Sequence, residues 1–317
     1  MSHIYAIAEK IFFVILIMGA GVLTKKLKLV SDQGEKDLSV LMMDFVWPAF
    51  IFSSIVTTLS ADDILSNILL PVLSVGLHLT GYILGMIICR IAGYKGERRN
   101  IFLLHAAMNN FLVMALPFAE FFFPAKGAAL LAVANLGSMV SLWTLGVSTV
   151  VTGNLGLKTT LRNIFSPGLI ATLAAILCVL TGINKYIPVL FTSALSVIGG
   201  PTMLLGLLVA GTQIYKLGKG ALKLDGWNIL VGLVRNILTP GALFAIALLL
   251  RGVIGSETLT ILMIVSITPA SVNSVTIAMK FDSAANLAAE GVVFTHLLAM
   301  GTMIGFIMLI ERFIFAG

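Results

Sequence analysis

The stretch His105 to Phe118 reads HAAMNNFLVMALPF, and the fold turns on how it is understood. It lies inside a hydrophobic run long enough to cross a bilayer, yet it carries two adjacent asparagines, Asn109 and Asn110, and then Pro117. Proline has no N–H to give the carbonyl four residues back, here that of Val113, and its ring crowds that turn. A second stretch of the same character, Thr268 to Ala278 (TPASVNSVTIA), lies in the other half of the chain, where Pro269 frees the carbonyl of Val265. Polar, helix-breaking residues at membrane depth persist only where they are buried in protein or line a cavity. The two stretches are therefore expected to face each other and form a substrate site.

The composition around them sets the class. Of 317 residues 59% are apolar and 11% charged, and the mean hydropathy is +1.07, whereas a soluble protein carries roughly 25% charged residues. The apolar runs are long and continuous, which excludes a strand-built barrel with its ~10-residue alternating segments. The chain reads as an all-α polytopic membrane protein. Its net charge of +6 comes from basic residues scattered singly between apolar runs, the pattern of loops held at one membrane face and not of a nucleic-acid surface. Cys89 and Cys178 stand alone in apolar runs, so no metal site is expected. Nor is there a phosphate-binding glycine loop that would point to ATP hydrolysis, and no cofactor is expected.

A spanning helix takes ~20 mostly apolar residues. Ten such spans are expected, at 4–24, 39–59, 64–89, 100–122, 127–151, 163–182, 187–215, 229–250, 258–279 and 286–310. The first is followed by Lys25 and Lys26 without a small-residue cleavage site, so it reads as a span and not as a removed signal peptide. Fourteen lysines and arginines fall in one set of connections and five on the opposite side with both termini. The positive-inside rule puts the fourteen in the cytoplasm and both termini outside, in a multi-pass protein of a bacterial-type plasma membrane.

The halves also echo each other. Asn67-Ile68-Leu69-Leu70-Pro71 recurs as Asn236-Ile237-Leu238-Thr239-Pro240, Pro48 as Pro201, and Ala107-Met108-Asn109-Asn110 as Ser271-Val272-Asn273-Ser274. Five spans per half is an odd number, so the second half would enter the membrane inverted, the architecture common among secondary transporters. The expected division is a first five-helix repeat over 1–151, a cytoplasmic linker over 152–162 and an inverted second repeat over 163–317.

Within the site, Asn109 and Asn110 from span 4 and Ser271, Asn273, Ser274 and Thr276 from span 9 are the candidate substrate ligands. Pro117 and Pro269 would hold the two helices open there. A broken helix presents free N–H groups and the positive end of a half-helix dipole near the midplane, and two such ends favour an anion, notably a carboxylate. This needs no arginine, and none is expected at that depth, Arg235 being placed near an interface or in a wet cleft. Among ionisable groups, His296, Glu290 and Asp44 are candidates for carrying a coupling proton. His78 and His105 read as packing residues.

These residues carry a resemblance. The helix containing Trp47-Pro48-Ala49-Phe50-Ile51-Phe52, the stretch from Asn110 to Pro117 (NFLVMALP), and Pro269 through Ala278 ahead of Leu287-Ala288-Ala289 are similar in order and spacing to the auxin efflux carrier family. That family includes bacterial malate and malonate permeases and the plant auxin carriers. The resemblance implies a ten-helix fold with spans 1, 2, 6 and 7 as scaffold, spans 3–5 and 8–10 as the moving part, and broken helices 4 and 9 crossing at the substrate. The plant carriers have a proline at each crossing point. Here the matching positions are Asn109 and Asn273 or Ser274, which implies a more polar site for a substrate smaller than an indole acid. The expected function is secondary transport of a small organic anion by alternating access, coupled to a proton or to sodium, with no enzymatic step and no nucleic-acid partner. The oligomeric state is left open, a homodimer being one option. Two alternatives stand beside it: a sodium-coupled carrier resembling the bile-acid symporters, and an intramembrane enzyme acting on lipid.

Overall fold

The computed structural model describes residues 2–151, 156–217 and 223–315. Residues 152–155 of the expected linker, and Lys219 of the charge count, lie outside that range. Among the described residues the chain is helical, and no strand forms.

In chain order the helices are α1 (Ser2–Lys26), α2 (Asp32–Thr58), α3 (Ala61–Ile91), α4 (Gly96–Ala107) and α5 (Phe111–Phe122). Then follow α6 (Gly127–Thr149), α7 (Leu157–Ile164), α8 (Pro167–Leu180), α9 (Val189–Lys216) and α10 (Gly226–Leu250). The last are α11 (Ser256–Ser266), α12 (Asn273–Lys280) and α13 (Ala285–Phe315). Six of them, α2, α3, α6, α9, α10 and α13, are long and apolar enough to cross a membrane, and α7 with α8, bent at 64°, makes up to seven. The fold is thus a multi-pass helical membrane protein.

Local chemistry explains where the rods begin and bend. Ser31 accepts the Gly34 N–H at the start of α2, Ser60 and Asp63 form a reciprocal capping box at the start of α3, and Asp225 caps α10 through the Asn228 N–H. Each side chain satisfies a donor that the helix itself leaves free. Pro48 and Pro240 sit inside long helices, and each follows a five-residue π-helical turn, Met42–Val46 in α2 and Val234–Leu238 in α10. The extra residue of a wider turn relieves the clash between the ring and the preceding turn that would otherwise kink the rod.

Small residues let the rods touch backbone to backbone, as is usual between membrane helices. A Cβ on Gly21 of α1 or Gly211 of α9 would collide with the opposing carbonyl, Leu208 O or Met18 O, so these helices pack without a gap. Gly137 of α6 lies against the Pro71 carbonyl of α3, and Gly81 of α3 against the Ala106 carbonyl at the end of α4. The principal contacts join α1 with α9 and α2 with α8 and α9; separately, α3 packs with α4 and α6, α5 with α6, and α13 with α10 and α12.

Candidate functional site

Both expected breaks are present. The first separates α4 from α5 at residues 108–110, and the second separates α11 from α12 at residues 267–272. The open segments meet in an antiparallel backbone bridge between Asn109 and Ala270. Asn110 N–H donates to Pro269 O at 2.7 Å, and Ser271 N–H donates to Met108 O at 3.1 Å. Backbone that has left the helical ladder inside a membrane must find partners within the protein, and here each broken helix supplies them to the other. The bridge register corrects the expectation from the repeat. Asn109 meets Ala270, and Asn273 and Ser274 fall one turn further on, because the matching Asn-containing motifs sit at different depths relative to their breaks.

The prolines behave differently from each other. Pro269 lies in the break, and the Val265 carbonyl beside it accepts from Asn109 Nδ2 at 2.6 Å and from Thr268 Oγ1 at 2.8 Å. Pro117 does not hold a helix open: it lies inside the continuous helix α5, two turns past the break. A single missing N–H bond is tolerated there because the residues around it, from Met114 to Ala119, are packed in the core.

Asn109, Asn110, Ser271 and Asn273 all border one cavity of about 180 Å³. Its wall continues through Asp44, His78, Asn135, Ser138 and Gln213, brought in by α2, α3, α6 and α9. Among the described residues no lysine or arginine borders it. Of the remaining candidates, Ser274 is fully buried on the other side, donating to Ser271 O at 2.6 Å with its oxygen 3.4 Å from His105 Nδ1. Thr276 is exposed and does not border the cavity, since it lies two residues beyond Ser274 on a different face of α12. His296 stands behind Asn110, its Nε2 3.2 Å from the amide nitrogen. Glu290 does not border the cavity and is paired with Lys223 at 2.5 Å. Of the three expected proton carriers, only Asp44 reaches the cavity.

Two residues carry roles that sequence reasoning missed. His78, read as packing, borders the cavity and bonds the Ala107 carbonyl through Nδ1 at 2.9 Å and Ser138 Oγ through Nε2 at 2.8 Å. Arg235, expected at an interface, is completely buried. It donates to Ala106 O at 3.3 Å, to Thr268 O at 3.2 Å and to Ser266 O. Ala106 and Ser266 are the last turns of α4 and α11, so one guanidinium meets the negative ends of two half-helix dipoles. A buried charge is retained only when hydrogen-bonded, and the freed carbonyls of two broken helices provide that without a carboxylate. The one available signal was a lone arginine directly ahead of Asn236 and Pro240 in an apolar run.

Two broken helices bridged to each other beside a partly open cavity, in a bundle of membrane-length rods, are the arrangement expected of a membrane transporter. The chain belongs to the family described as membrane transport protein, whose model matches residues 6–153 and 148–307, in agreement with the resemblance to auxin efflux carriers. An uncharacterized transporter from Methanocaldococcus jannaschii is 24% identical over 297 residues, covering 90% of this chain and 93% of that one.

Proposed function

We propose that this chain is a secondary transporter of a small organic anion, a mono- or dicarboxylate such as malate or malonate, working by alternating access. The observation that carries the reading is the pair of bridged helix breaks on the wall of a cavity that, among the described residues, offers polar groups but no cation. In this reading the ten spans form two inverted repeats, with α4–α5 and α11–α12 as the broken crossing pair. A carboxylate would be held by the first-turn N–H groups of α5, which have no partner inside the helix, and by the amides of Asn135 and Gln213.

The distribution of ion pairs supports two bodies that move past each other. Lys25, Asp32, Glu35 and Lys216 knit α1, α2 and α9 into the scaffold. Lys126, Asp63 and Glu257, with Asn67 bonded to Thr258, knit α3, α6 and α11 into the moving part. Neither cluster crosses from one body to the other, so sliding would break none of these pairs. With both termini outside, the cavity faces the cytoplasm, and Asp44 at its mouth is the group placed to carry a coupling proton.

The test is uptake of labelled dicarboxylates into proteoliposomes, under a pH gradient and separately under a sodium gradient. Asn110→Ala should abolish uptake with normal expression and monodispersity. Asp44→Asn should retain exchange of internal for external substrate while losing gradient-driven accumulation. Wild-type uptake rates in Asn110→Ala would sink the site assignment, and accumulation that follows sodium alone would favour the sodium-coupled alternative.

A further inference from the structure

The hydrogen-bond directions around the cavity are set by what each group faces, and they restrict the ligand further than shape does. Val265 O can only accept, so the part of Asn109 lying 2.6 Å from it is the NH₂. Asn109 Oδ1 is then left buried in the cavity wall with no partner. His296 Nδ1 lies 2.8 Å from Val292 O and must carry its proton there. A neutral imidazole arranged this way accepts at Nε2, so Asn110 must direct its NH₂ to His296 and keep Oδ1 for the cavity. The same logic applies at His78. Its Nδ1–H goes to Ala107 O, its Nε2 accepts the Ser138 hydroxyl proton, and the Ser138 oxygen retains lone pairs on the cavity side.

Two asparagines of the α4–α5 break and one serine of α6 thus each spend a donor on the protein and keep an acceptor oxygen over. Asp44, an acceptor in its ionised form, adds a fourth. The backbone at the crossing follows suit, the Asn110 and Ser271 N–H groups being spent on the bridge and the Ala270 N–H on Thr295 Oγ1 at 3.3 Å. A plain carboxylate, which only accepts, would satisfy none of these atoms, and a buried acceptor left unpaired is costly.

We infer that Asn109, Asn110 and Ser138 form an acceptor subsite that selects carboxylates bearing a hydrogen-bond donor, a hydroxyl or an amino group, on the carbon beside the acid. This rests on the organic-anion reading above. The carboxylate takes the α5 N-terminus and the free amides, and the donor takes the acceptor subsite.

Succinate, malate and aspartate share one four-carbon dicarboxylate skeleton and differ only in bearing no donor, a hydroxyl or an ammonium group. Their dissociation constants for the purified wild-type protein, measured calorimetrically, test the assignment without any substitution. Malate or aspartate should bind about tenfold or more tightly than succinate, and which of the two does so tells hydroxyl from amino. Succinate binding as well as both overturns the subsite while leaving the anion reading intact. Failure of all three, and of lactate and alanine, to bind overturns the anion reading and the subsite with it. Ser138→Ala, which keeps the bridge and the Asn109 cap, should pull the preference for the donor-bearing acid toward unity. An unchanged preference in Ser138→Ala and Asn110→Ala alike also overturns the subsite.

Discussion

Replacing Arg235 by methionine removes one buried charge and three hydrogen bonds while keeping most of the side-chain volume. The lost bonds run to Ala106 O, Ser266 O and Thr268 O, all in the interior, where no water can replace them. A hydrogen bond to a charged group is worth about 1.5–3 kcal/mol. The three share one donor and do not add in full, and methionine escapes the cost of burying a cation. The net loss is then about 3–6 kcal/mol, which at the usual entropy of unfolding lowers the melting temperature by on the order of 10 °C. Lysine keeps the charge but is a point donor without the planar fork, so Arg235→Lys should fall about midway. Cys89 is buried at 1% exposure, so a thiol-reactive dye reports unfolding in detergent directly. If Arg235→Met melts within about 2 °C of wild type, or if Lys and Met are equally damaging, the guanidinium does not clamp the two half-helices and the reasoning fails.

Other consequences can be measured in the same assay. Lys126 lies outside the spans, and the Asp63 carboxylate bonded to it holds its ammonium above the ordinary value of 10.5 against the opposing effect of burial, with Glu257 helping. A raised folded value means that the stabilisation is present below 10.5 and disappears as the pH rises through the folded value. The melting gap between wild type and Lys126→Met should therefore be constant from about pH 6 to 9 and close above 10.5; a gap that widens with alkalinity would contradict the pairing. Gly211→Ala forces a methyl into the Met18 carbonyl, and overpacking of this kind costs about 1–3 kcal/mol. A variant as stable as wild type would show that α1 and α9 can part without penalty.

What the sequence made legible was composition-deep and local. Long apolar runs announced membrane helices, and polar residues with a proline inside such a run announced a break at 108–110 and another around Pro269. Local signals did not carry the register. Nothing in AMNN or SVNS states that Asn109 faces Ala270, because that depends on how far each helix reaches before it opens. Nor did they carry the role of Arg235, whose partners are backbone carbonyls 31, 33 and 129 residues away. A carbonyl has no letter in a sequence. Pro117 misled for the opposite reason: a residue that breaks helices in isolation was accommodated by its surroundings.

The π-helical turns at 42–46 and 234–238 bear on how relatives and variants of this chain should be compared. Each takes one residue more than the α-turn it replaces, so the helix beyond it is rotated by about 100° relative to an uninterrupted rod. Asp44 and Arg235, the charged residues of the cavity and the crossing, both ride on these turns. Deleting one residue from either turn would leave the run almost as hydrophobic and yet rotate the helix beyond it by the same angle. Conversely, a relative one residue shorter there has a different face turned inward, whatever its percentage identity.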